Sequence, residues 1–380
     1  MKKAALLLYM CMLPLTLAGC GGVYSNYREI EQLQLVRALG IDRCAEGFML
    51  TVASAKSPEG GEPPLISASG ASIGEAIEKM NVYSGGRELF IAHVEHILIG
   101  EDAASGGIGE ILGYVQRSTL MRMSTGLYIV RASTAQSVMT AAAEAGFSIG
   151  EALSALEHSS AESGLTGHTS CLDASRFLTQ RGACLVGALC LADAGGHLSP
   201  VPEGGILAPA GFAILGGSSL AGYIEPENAP AALILSGGSP ESVFTVPDGE
   251  GGTAALKLTK CGAELRPLSG GQAGAVARIT LEASLIELSE PRYSMSAGYL
   301  SGLGRALARE IQSEAESVIE TSSLLSLDFL GLGEAARRGA LSASEPENFP
   351  HGTFTAEVSA DVVRSSDLEG SVRYGEEAGG

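Results

Sequence analysis

The sequence has no tryptophan, and aromatic residues make up only 5% of its 380 positions. That leaves little with which to line an aromatic ligand cleft. Cationic side chains are scarce too: 24 Lys and Arg stand against 43 Asp and Glu, for a formal net charge of −19. Nucleic acid is thereby excluded as a partner, because affinity for its phosphates comes from Lys and Arg. The same balance disfavours a body lying flat on an anionic lipid surface. After the first 22 positions no run of 18 uninterrupted apolar residues occurs, so no transmembrane helix is expected there. There is no Gly-x-Ser-x-Gly elbow to place a catalytic serine, and the cysteine spacings match no metal-ligand set.

What is present begins at the N-terminus. Lys2 and Lys3 form a short positive region, Ala4 to Leu17 an apolar one broken by Pro14 and Thr16, and Leu17-Ala18-Gly19-Cys20 closes the segment. An apolar run this short reads as an export signal, since a membrane span wants about 20 residues. Leu-Ala-Gly-Cys resembles the bacterial lipobox. The resemblance implies a signal peptide over 1–19, cleavage between Gly19 and Cys20, and lipidation of the Cys20 thiol. A diacylglyceryl group with an N-acyl chain is a durable anchor, where one chain binds only marginally. The body is then two units more acidic, having lost Lys2 and Lys3. Cys44, Cys171, Cys184, Cys190 and Cys261 remain as thiols. Cys184 and Cys190, on one face of an extended run, would stand roughly 20 Å apart and cannot pair. Free, mostly buried thiols are expected.

The composition is otherwise globular, with mean hydropathy +0.22 and 45% apolar residues. The patterning predicts α+β architecture in three domains: 20–193, 206–245 and 250–375. In the first, strands over Leu33–Ile41, Phe48–Val52, Glu88–Ile99, Leu127–Val130 and Leu185–Leu191 alternate with helices. Those helices carry stripes such as Ile73, Ala76, Ile77 and Met80, or Ile108, Ile111, Leu112 and Val115. Ser72 and Glu75 form a capping box, as do Ser148 and Glu151. Ser57–Leu65 reads as a loop and Asp193–Pro209 as a linker. The middle domain holds a hairpin with Gly216–Ser219 as a four-residue loop, followed by a loose stretch over Ser236–Gly252. In the third, Leu256 to Leu285 alternates as antiparallel strands do. Leu300, Leu303, Leu307, Ile311, Val318 and Ile319 then stripe one long amphipathic helix on that antiparallel sheet. Phe354 to Val362 is a last strand, and the polar tail from Ser365 is expected to fray.

Several stretches together resemble the Ger(x)C family, the lipoprotein C subunit of spore germinant receptors. They are the lipobox with Arg28-Glu29-Ile30-Glu31 and Ala38-Leu39-Gly40-Ile41-Asp42; Gly86-Arg87-Glu88-Leu89-Phe90 with His93 and Ile97-Leu98-Ile99-Gly100-Glu101; Gly211-Phe212-Ala213-Ile214-Leu215 with Leu220-Ala221-Gly222-Tyr223; and Asp328-Phe329-Leu330-Gly331-Leu332-Gly333. The resemblance implies a three-domain α+β protein held by lipid on the outer face of the spore inner membrane. Its partners would be two integral-membrane receptor subunits, one of them permease-like. The family often has Trp-Asp after the lipidated cysteine, where this chain has Gly21-Gly-Val-Tyr-Ser-Asn.

No catalytic residue, cofactor or metal is expected. His93 and His96 have metal spacing only on a helix, and in a strand they face opposite sides. Tyr27-Arg28-Glu29 suits either a partner contact or a solvated exit from the tether. Gly331-Leu-Gly-Glu334 lacks the strand and the Lys-Ser/Thr of a phosphate loop, so a helix-ending turn is expected, with Asp328 accepting from backbone amides. Glu314 and Glu316 do not converge on a helix. The reading is a non-enzymatic, lipid-tethered receptor subunit. The alternative is a solute-binding lipoprotein feeding a transporter, which would need two lobes and a polar cleft.

Overall fold

The run Leu33–Cys44 is half-buried in alternation at its start and buried on both faces further on, the signature of a strand that enters a sheet from its rim. It is β1 of the computed structural model, which describes residues 32–55, 64–146, 148–192, 206–268, 273–289, 295–339 and 352–364. The signal segment, Cys20, Tyr27-Arg28-Glu29, most of the linker and the tail lie outside the described residues.

The chain continues with β2 (Gly47–Ser54), β3 (Ile66–Gly70), α1 (Ile73–Tyr83), β4 (Glu88–Phe90), β5 (His96–Gly100), α2 (Glu101–Gly106) and α3 (Gly109–Arg117). Next come β6 (Gly126–Val130), α4 (Ala135–Glu144), α5 (Ile149–Ser163), β7 (Thr169–Ser170), α6 (Cys171–Arg181), β8 (Ala183–Ala192), β9 (Ile206–Gly216) and β10 (Ser219–Ile224). These strands form one sheet in the order β10-β9-β8-β6-β5-β1-β2-β3, with β4 on β1 and β7 on β6. Its centre, β8-β6-β5-β1, is parallel and its flanks are antiparallel. One face packs on α1, α3 and α6, the other on α4 and α5.

The cap of α1 is present, shifted on one side by a residue: Ser72 Oγ accepts from the Glu75 N–H at 3.2 Å, and the Glu75 carboxylate accepts from the Ala71 N–H, one residue ahead of the cap, at 3.0 Å. The hairpin loop is tighter than expected. Gly216 pairs with Ser219, leaving only Gly217 and Ser218 between the strands, with Gly217 at φ +65°.

The remainder is α7 (Ala229–Leu235), β11 (Val243–Pro247), β12 (Thr253–Pro267), β13 (Gly274–Leu288), α8 (Ala297–Leu324), α9 (Leu332–Gly339) and β14 (Thr353–Arg364). The second sheet runs β11-β12-β13-β14. It is not wholly antiparallel: β14 lies parallel to β13. The reason is the crossover. α8, 28 residues long and so about 42 Å from end to end, carries the chain back before β14 begins. α8 covers one face of the sheet, and Gly304 lets it touch β14, since a β-carbon there would overlap the Ala360 carbonyl.

The segment expected as a middle domain is distributed between both sheets. Its hairpin extends the ten-stranded sheet, while α7 and β11 join the core that also buries Leu185, Phe212, Ile214, Leu256, Leu281, Leu307 and Ile311.

Candidate functional site

The motif residues converge at the carboxyl ends of β1, β5 and β6. Asp42 reaches across to α4, where Oδ1 accepts from the Ala135 N–H at 2.8 Å and Oδ2 from the Gln136 N–H at 2.9 Å. These are orphan amides of a helix start, and a carboxylate there also meets the positive end of the helix dipole. Burial pushes the Asp42 carboxyl above its ordinary value, and the two amides pull against that rise. Gly40 admits the helix: a β-carbon would stand 2.7 Å from Met139 Sδ.

Next to it, Glu101 accepts from the Ala132 N–H at 2.5 Å and from the Tyr223 hydroxyl at 2.9 Å. Arg131 grips Glu225 with two hydrogen bonds of 2.8 Å and lies over the Tyr223 ring at 4.4 Å. The Arg131 guanidinium holds the Glu225 carboxyl below its usual range. Burial and the Glu101 hydrogen bond drive the Tyr223 hydroxyl upward. The hydrogen bonds of the cluster run between its own members, and its chemistry is that of a clamp fastening β10 to the sheet.

His93 and His96 do not converge. His93 ends a 3-10 turn and is exposed, while His96 opens β5 and is buried. His96 Nε2 lies 3.2 Å from Ser154 Oγ, which also lies 2.9 Å from the Gly150 carbonyl. Nδ1 faces Glu157 at 3.7 Å without a hydrogen bond, and burial lowers the His96 pKa. Glu157 bonds His168 at 2.8 Å and raises it.

Asp328 accepts from the Glu334 N–H at 3.1 Å, and Gly331 takes φ +84°. The expected amide-capping role is present, but it serves the start of α9. Arg181 lies against Gly331 and pairs with Glu334 at 3.2 Å, joining the two halves of the chain.

Glu314 and Glu316 diverge as expected. Glu314 lines a cleft of about 550 Å³ with Glu162, Glu227, Glu241, Lys257 and Pro230. Sequence reasoning missed this cleft, because its residues are scattered over five elements. Burial, with Glu310 nearby, lifts the Glu314 carboxyl to about 8. Cys171 and Cys184 are buried free thiols pushed up to about 12 by burial, so neither is a nucleophile at neutral pH. No group of three metal-ligating side chains occurs among the described residues.

These features define a two-sheet α+β protein whose polar clusters hold elements together. Residues 26–189 match the model described as the spore germination protein N-terminal domain, and residues 210–366 match the spore germination B3/GerAC-like C-terminal model. The chain belongs to this spore germination family and is of its C-subunit type. It is similar in fold to the crystal structure of the GerBC protein, with TM-score 0.50 and 19% identity, over 88% of this chain and 100% of that one. No curated protein matches.

Proposed function

We propose that this germinant-receptor C subunit is a non-enzymatic scaffold, tethered by acyl chains on Cys20 after cleavage at Gly19. It stands beside two integral-membrane subunits, one of them permease-like, on the outer face of the spore inner membrane, and supports the nutrient signal. The observation that carries this is the full lipobox Leu17-Ala18-Gly19-Cys20 shortly ahead of the family's N-terminal domain. Among the described residues no helix is long and apolar enough to cross a membrane. The tether raises the local concentration of the body beside its neighbours, turning weak contacts into assembly.

The test is Cys20→Ala. The protein leaves the membrane fraction and germination weakens, while unchanged fractionation refutes the tether. The cleft at Glu314 keeps a solute-binding reading in view. Calorimetry with amino acids and sugars decides it, since tight stoichiometric binding would favour the transporter lipoprotein.

A further inference from the structure

The parallel strands all begin at one rim of the large sheet, and the tether enters there. Leu33, the first residue of β1, pairs with Glu88 of β4. From Cys20 the intervening chain reaches at most about 45 Å when fully extended. The turn between α1 and β4 therefore sits beside the tether's entry. α3 ends just ahead of β6, and α6 starts against the same loop, with the Leu172 N–H bonded to the Met123 carbonyl at 2.8 Å and the Cys171 N–H to Thr125 at 3.0 Å.

This rim exposes large apolar side chains: Val82 is 77% exposed, Tyr83 63%, Leu120 50% and Leu172 55%. They are presented by ordered turns. Asn81 accepts from the Leu89 N–H, and Ser118 Oγ accepts from the Leu120 and Met121 N–H groups. Interleaved with them are exposed Arg87, Arg117 and Arg122, which make no ion pair among the described residues. Of the nearby acids, Glu95 pairs with Arg37 and Asp173 with Arg176, while Glu78 and Glu88 are exposed beside the arginines. In so acidic a chain, an apolar rim where three exposed arginines outnumber the two exposed acids is complementary to lipid headgroups over an acyl layer.

We propose that this rim, led by Tyr83 and Leu120, is the surface that rests on the bilayer, so that the body stands edge-on and its acidic remainder stays away from the headgroups. The proposal rests on the tethered reading for the closeness of a membrane, but it is tested without acylation. The mature chain, carrying an N-terminal oligohistidine tag in place of Cys20, is bound to vesicles of phosphatidylcholine and phosphatidylglycerol containing a nickel-chelating lipid. The absence of tryptophan makes single-Trp variants clean reporters.

In Tyr83→Trp and Leu120→Trp the emission shifts to the blue and is quenched by lipids brominated on their acyl chains. In Ile286→Trp, on β13, it is not. Arg87→Glu with Arg122→Glu reduces the quenching. The proposal is overturned if positions 83 and 120 stay unquenched on protein held by the tag. Equal quenching at all three positions, or quenching only in membranes that contain other receptor subunits, overturns it as well. Mass analysis of native Cys20 tests the lipid anchor separately.

Discussion

Gly100 stands where any β-carbon would overlap the Asp42 carboxylate. The two residues come from neighbouring parallel strands, and the missing side chain of one is the space that the other uses to cap α4. Gly100→Ala is expected to displace the carboxylate and leave the Ala135 and Gln136 amides unmet, costing roughly 2–4 kcal/mol. Urea unfolding measures it. Asp42→Asn keeps one acceptor oxygen and costs less, about 1–2 kcal/mol.

Glu314 binds its proton more tightly in the folded chain than in the unfolded one, its carboxyl standing at about 8 against an ordinary value of 4.5. Its contribution to stability is therefore full below about pH 4.5 and lost as pH rises through about 8. Glu314→Gln removes that dependence. The variant is expected to be more stable than the parent at pH 8.5 by roughly 2–3 kcal/mol and little changed at pH 5, as read by thermal melts across pH.

The two imidazoles around Glu157 titrate apart, His168 above the ordinary histidine range and His96 below it. Glu157→Gln lowers both, because the carboxylate favours the charged form of each. NMR titration of the imidazole protons checks this. The sign for stability follows: His168 contributes stability that is lost as pH rises through its folded value, and His96 contributes stability that is lost as pH falls through its own.

Arg131 and Glu225 form a bidentate pair, with the Arg131 side chain mostly buried and Glu225 half-exposed. A double-mutant cycle with Arg131→Ala and Glu225→Ala is expected to give a coupling of about 1 kcal/mol, reduced from a fully buried pair by solvent screening. Arg131→Lys keeps the charge and loses the fork, so it retains only part of that coupling.

Most of the helices and strands were legible because burial imposes periodicity. The stripe of α8 and the alternation of β13 are printed in the order of residues. The elements that escaped have weak or uniform patterns. α6 buries only Cys171 and Ala174 in its span. α7 is apolar nearly all round. β11 is short, with only Phe244 and Val246 turned inward among Gly, Ser and Pro neighbours.

By itself the sequence determined the α+β class and the family, since these depend on local spacing and on residue types in order. Tertiary structure alone decided that β14 runs parallel to β13, that the 206–224 hairpin extends the large sheet, and that Glu314 lines a cleft. Each is a relation between residues far apart in the chain, set by which surfaces must be buried together, and no local pattern carries it.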